Sequence, residues 1–203
     1  MYPAGENAAL QTAVDALRSQ GVVPGVGGAL KASAQALASS LCEAILSEVP
    51  AYTESANPDV RPELRQHADE LLAQILGILA DGRRVDFGAV RRHAQRRATQ
   101  RFPLEALLHT YRCAHKVLFA WSRDAAIEAA PQAGHVRRVV AAAAEFAIEF
   151  TDTVSSTATS TYVEHTRVLA EAESDRRAGL LTLLLQGYDE SDTHAAQLLR
   201  KAG

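Results

Sequence analysis

Apolar positions recur every three or four residues along most of this chain, the spacing of helices that bury one face. Leu10, Val14 and Leu17 mark a first short helix over Glu6 to Ser19. The run Gln20 to Gly28, with four glycines and a proline, interrupts the pattern and reads as a linker. A second helix is expected from Leu30 to Ser47, with Leu37, Leu41 and Ile45 facing inward and Val49 continuing that face; Pro50 stops it. Asn57-Pro58 and Pro62-Glu63 signal a capped start for a third helix, which carries Leu64, Ala68, Leu71, Leu72, Ile75, Leu76 and Leu79 and ends at Asp81-Gly82.

Asp86 is placed to cap a fourth helix, Phe87 to Gln100, whose inner side is Phe87, Val90, Ala94 and Ala98. Pro103 suits the first turn of a fifth, where its missing N–H is no loss, and Glu105 complements the dipole there. This helix, running to about Ala130 before Pro131, presents Leu104, Leu107, Leu108, Tyr111, His115, Leu118 and Phe119 as one wide stripe. It holds the single tryptophan, Trp121, and is expected at the centre of the bundle.

From His135 to Ala178 there is no glycine or proline, so one helix about 66 Å long is expected. A rod of that length predicts either projection from the bundle or pairing with a second copy. Val139, Ala143, Phe146 and Phe150 give its first part a coiled-coil-like face. Between Thr151 and Thr161 eight of eleven residues are serine or threonine. Such a segment is either a hinge in a sensor or a narrow face that lets a neighbouring helix approach closely, and the second is favoured. Tyr162, Leu169, Ala172 and Leu180 to Leu185 resume the pattern; Gly187 ends it, Asp189 to Ser191 form a turn, and Thr193 to Lys201 begin another helix. Stopping at Ala202-Gly203, the chain reads as a piece of a longer protein.

The fold class is therefore all-α: a multi-helix bundle with a long C-terminal connector helix. Three segments are expected: residues 1–29 as N-terminal helix and glycine-rich linker, 30–172 as the bundle, and 173–203 as connector and the start of a further domain. With 5% aromatic residues, alanine and leucine must do most of the packing. A net charge of −3 favours neither a nucleic-acid nor a membrane surface. Cys42 and Cys113 read as small buried hydrophobes of a reducing compartment. The start of the chain lacks the basic and apolar regions of a leader, and no apolar run is long enough for a membrane span, so a cytoplasmic protein is expected.

Candidate chemistry is sparse. The glycine run lacks the Gly-Lys-Ser/Thr ending of a phosphate loop. Arg83, Arg84, Arg91, Arg92, Arg96, Arg97 and Arg101 form a basic region that reads as solvated or partner-facing surface, because no aromatics interleave with it. His109 and Cys113, four apart, could seat a metal but supply only two ligands, and no metal site is assigned. No nucleophile, base and orienting group come together as an enzyme requires.

Pro103-Leu104-Glu105-Ala106-Leu107-Leu108, then Tyr111-Arg112, Ala114-His115-Lys116-Val117-Leu118 and Trp121, resembles the hallmark of the RsbRD-like N-terminal domain that precedes PucR/CdaR-type transcription regulators common in actinobacteria. The arginine- and alanine-rich run from Arg91 to Pro103 is similar to that family's run-in. Arg176 to Gly187 resembles its connector, and Asp192 to Gly203 the opening of the domain that follows. The similarity extends over most of the chain from about Leu30. One position departs: where the family usually has a small residue two before the proline, this chain has Arg101, so a left-handed turn there would be strained.

The resemblance implies a non-catalytic sensory and dimerising domain: a homodimer with an effector of unknown identity, no cofactor, no membrane, and DNA bound only through a C-terminal helix-turn-helix outside this sequence. Tyr111, Arg112, His115 and Trp121 are the ligand or signal-core candidates, with Arg112 expected to pair with a carboxylate inside the bundle. Two alternatives stay open. One is a globin-like helical sensor binding a small molecule, or haem through His115. The other is a phosphorelay module, for which His115-Lys116, His67 and His165 lack the expected neighbours.

Overall fold

The computed structural model describes residues 6–79, 86–129 and 133–186. Among these the chain forms seven helices and no strand: α1 (Glu6–Ser19), α2 (Val23–Glu48), α3 (Pro50–Thr53), α4 (Val60–Leu79), α5 (Gly88–Thr99), α6 (Leu104–Ala129) and α7 (Ala133–Gln186). The fold is an all-α bundle with a long C-terminal helix. The expected helix end at Asp81-Gly82, Arg83 and Arg84 of the basic region, Pro131, and everything from Gly187 onward lie outside the described residues.

The glycine-rich run is not a linker. Gly21 alone breaks the chain: it adopts φ +73° and its N–H donates to the Arg18 carbonyl at 2.9 Å, closing α1. Pro24 then sits in the first turn of α2, and Gly25, Gly27 and Gly28 are helical. Packing explains why glycine is kept. A Cβ on Gly25 would meet the Ala129 Cβ at 3.0 Å, so its absence lets the end of α6 approach. Val23, Val26 and Gly27 are buried, and α1 contributes Leu10, Val14 and Leu17 to the same core as the later helices.

Pro50 does end α2, but it also opens the single turn α3, which buries Tyr52. The Asn57 side chain accepts the Asp59 N–H at 3.0 Å just ahead of α4, and Asp86 accepts the Gly88 N–H at 2.9 Å at the start of α5. Across the bundle, α2 packs against both α4 and α6. Helix α6 is buried at Leu107, Thr110, Tyr111, Cys113 and Ala114, whereas Leu104, Leu108, His115, Leu118, Phe119 and Trp121 are half-buried. Ala125 and Ala126 near its end are buried as well, so the expected apolar stripe is enclosed along one edge and half-buried along the other.

The turn between α5 and α6 has a left-handed residue, and it is Arg101, at φ 54°. Its N–H donates to the Ala98 carbonyl at 3.0 Å, and the Phe102 N–H to the Arg97 carbonyl at 2.9 Å. This pairing satisfies two of the last carbonyls of α5 and swings Phe102 into the core.

On α7, Val139, Ala142, Ala143, Phe146, Phe150, Val154 and Ala158 are buried, and the same face continues through Thr153, Thr157 and Thr161. Thr153 donates to the Glu149 carbonyl at 2.7 Å and Thr159 to Ser155 at 2.7 Å, so these hydroxyls are satisfied within their own helix. The serine- and threonine-rich segment is a small-residue packing face in continuous helix. The chain divides into two compact units between Tyr162 and Val163. In the second, α7 is exposed for most of its described length and carries ion pairs of Arg167 with Glu164 and Glu171, and of Arg177 with Glu173.

Candidate functional site

Two features inside the bundle converge on α6: a buried polar centre beside Tyr111 and a small apolar cavity beside His115 and Trp121.

Arg97 anchors the first. Its side chain is wholly buried, with Nη1 donating to Glu63 Oε2 at 2.9 Å and Gln100 Oε1 at 2.6 Å, and Nη2 donating to the Val60 carbonyl at 2.9 Å. Gln100 Nε2 donates to the same Glu63 oxygen at 2.9 Å. The guanidinium lies 5.3 Å from the ring centre of Tyr52 and 5.2 Å from that of Phe102. A buried guanidinium needs both a counter-charge and partners for its fork of N–H groups; this site provides them at both Nη atoms and leaves Nε without one. The expectation that Arg97 belongs to a solvated basic surface is therefore wrong. The spacing held the signal, because Val90, His93, Ala94, Arg97 and Ala98 share one helical face. Of the other arginines, Arg91 pairs with Asp86 at 2.9 Å, Arg92 with Glu70 at 3.5 Å and Arg96 with Glu63 at 3.8 Å.

Beside Arg97, the rings of His67 (α4) and His93 (α5) stack with centroids 3.9 Å apart and planes 5° from parallel. Both are buried. His67 Nε2 meets the Tyr111 hydroxyl at 3.2 Å. Burial, reinforced by the Arg96 and Arg97 charges, pushes the His67 pKa down to about 3. Burial and the neighbouring His67 hold His93 well below the usual histidine range. Burial raises the Tyr111 phenol above its ordinary value. All three groups are thus neutral and enclosed.

Tyr111 has its hydrogen-bond partner, but Arg112 is exposed. Successive helical residues point about 100° apart, so burying Tyr111 turns Arg112 to solvent. The carboxylate pairing expected for Arg112 belongs to Arg97.

The cavity, of about 50 Å³, is lined by Leu17, Val26, Leu30, Ile75 and Leu79 from α1, α2 and α4, by His115, Leu118, Trp121, Ser122 and Ala126 of α6, and by Ala143 to Thr151 of α7. His115 Nδ1 and Thr151 Oγ1 are 2.6 Å apart on its wall, and the imidazole stacks parallel to Phe119 with centroids 6.2 Å apart. An engineered cavity of roughly 150 Å³ takes up benzene; this one is smaller and, as it stands, has no room for haem. His67 is sealed from any phosphodonor, and Thr151 engages His115 at Nδ1. Elsewhere on α6, His109 and Cys113 lie with Glu48 in a group able to hold a metal ion.

These observations define an all-α bundle whose interior holds a closed polar centre and a small apolar cavity. Residues 35–177 match the RsbT co-antagonist protein rsbRD N-terminal domain family, and the chain belongs to that family. No curated protein and no solved structure matches the chain significantly. The match takes in α4, α5 and α6, together with most of α2 and α7, so the polar centre falls within it, whereas Leu17, Val26 and Leu30 on the cavity wall precede it. The chain is thus a regulatory N-terminal domain. Among the described residues no helix is long and apolar enough to cross a membrane.

Proposed function

We propose that this chain is the sensory and dimerising N-terminal domain of a bacterial, PucR-type transcription regulator. In this reading it is non-catalytic and cytoplasmic, and reaches DNA only through a C-terminal helix-turn-helix outside this sequence. The family match over residues 35–177 is the observation that carries the regulatory assignment. Dimerisation is supported by α7, whose Val163, Val168, Leu169, Leu181 and Leu185 are all exposed. Apolar side chains of that size, left in water along one helix, favour a second copy as partner.

Light scattering on the chain, and on a version ending at Tyr162, tests the proposal. A dimer that becomes a monomer on truncation is expected. A monomer in both cases removes dimerisation from the reading.

A more specific version has a small apolar effector bound at the cavity between α6 and α7, which would have to widen to admit it. Trp121 on its wall is the only tryptophan, so its fluorescence reports occupancy directly. An absorbance spectrum of the purified chain without a Soret band would set haem aside.

A further inference from the structure

Glu48, in the last turn of α2, faces two donors from α6. Its Oε2 accepts the Cys113 S–H at 3.4 Å and lies 3.9 Å from His109 Nε2. One ligand atom from each of the three residues falls within 4.8 Å of the other two. His109 and Cys113 are a helical turn apart and share a face, while Glu48 arrives from a helix more than sixty residues earlier in the chain.

With metal–sulfur bonds of about 2.3 Å and metal–nitrogen and metal–oxygen bonds of about 2.1 Å, donors around a tetrahedral ion lie roughly 3.3–3.7 Å apart. The Cys113–Glu48 and His109–Glu48 separations are already close to that. The remaining adjustment falls on side chains free to move, since Glu48 is 41% and His109 37% exposed. Cys113 is the fixed member, buried with its sulfur directed at the carboxylate. On the open side, Lys116 Nζ lies 2.8 Å from the same Glu48 oxygen, so a cation already occupies this position. The Lys116 side chain is 64% exposed and can swing away.

We infer that Glu48, His109 and Cys113 form a binding site for a divalent cation of the zinc class, with water as the fourth ligand. A thiolate and an imidazole select borderline-soft ions over magnesium and calcium, which take oxygen ligands. On binding, the Cys113 S–H bond breaks, the sulfur keeps the electron pair and bonds the metal, and the proton leaves to solvent. Because the thiol must give up its proton to bind, affinity rises with pH. Occupancy would fasten the end of α2 to α6.

Cobalt(II) titrated into the whole chain tests this. One equivalent should produce a thiolate-to-cobalt charge-transfer band in the near ultraviolet, which zinc then bleaches. The band should vanish in Cys113→Ser, persist in Cys42→Ser, weaken in His109→Gln and form at lower cobalt in Lys116→Gln. His109 is partly exposed, so its variant folds even if Cys113→Ser does not. Absence of the band at saturating cobalt, its survival in Cys113→Ser, or an unchanged titration in His109→Gln would overturn the site.

Discussion

Arg97 and Phe102 hold each other across the α5–α6 turn. The guanidinium lies 5.2 Å from the phenyl centre, while the Phe102 N–H donates to the Arg97 carbonyl at 2.9 Å. Tyr52 completes the arrangement, with its ring centre 4.7 Å from that of Phe102. The turn that launches α6 is thus built onto the same residue whose side chain neutralises Glu63.

Truncating Arg97 should therefore be costly. Arg97→Ala strands the Val60 carbonyl, leaves Glu63 with only Gln100 and the more distant Arg96, and opens a void between two aromatic rings. A loss of about 3–5 kcal/mol in urea unfolding is expected. Arg97→Lys should recover little of it, because an ammonium cannot reproduce the fork. A loss below about 1 kcal/mol would show that the buried pair contributes little net stability.

Arg101 is the opposite case. An L-residue in the left-handed region costs roughly 1–2 kcal/mol, which glycine does not incur. Arg101 is exposed and holds the turn through its backbone. Arg101→Gly should raise stability by about 1 kcal/mol, allowing for the greater freedom of glycine in the unfolded chain. A lower melting temperature in the variant would mean that the arginine side chain contributes something its exposure hides.

The stacked histidines predict an acid-sensitive fold. His67 titrates near 3 when folded and near 6.5 when unfolded, so between those values the unfolded chain binds more protons. Its contribution is complete above about pH 6.5 and is lost as pH falls toward 3. Going from pH 7 to pH 5 should cost about 2 kcal/mol through His67, with His93 adding in the same direction. Urea midpoints at the two pH values check this, and His93→Phe, which keeps a ring in the stack, should flatten the slope.

Trp121 is half-buried on the cavity wall. Trp121→Ala should cost about 2 kcal/mol, less than the 3–5 kcal/mol of a fully enclosed aromatic. The Tyr111→Phe variant, which removes the hydroxyl from His67, should cost about 1–2 kcal/mol. Calorimetry that ranked Trp121→Ala well above 4 kcal/mol would place Trp121 deeper in the core than its half-burial indicates.

Periodicity and punctuation in the sequence were enough to mark the long helices and the turns at Asn57 and Asp86, and to favour a small-residue face on α7; the left-handed strain at Arg101 was expected from the family resemblance. Each depends on neighbours within about one helical turn, and so is encoded locally. Tertiary structure alone decided that three glycines of the supposed linker lie inside α2, one of them against Ala129. It also decided that Arg97 rather than Arg112 is the buried arginine, and that Glu48 meets His109 and Cys113. A repeat of 3.6 marks a face but does not say which segment, tens of residues away, will cover it. Only that covering determines whether a charge is solvated, paired or a ligand.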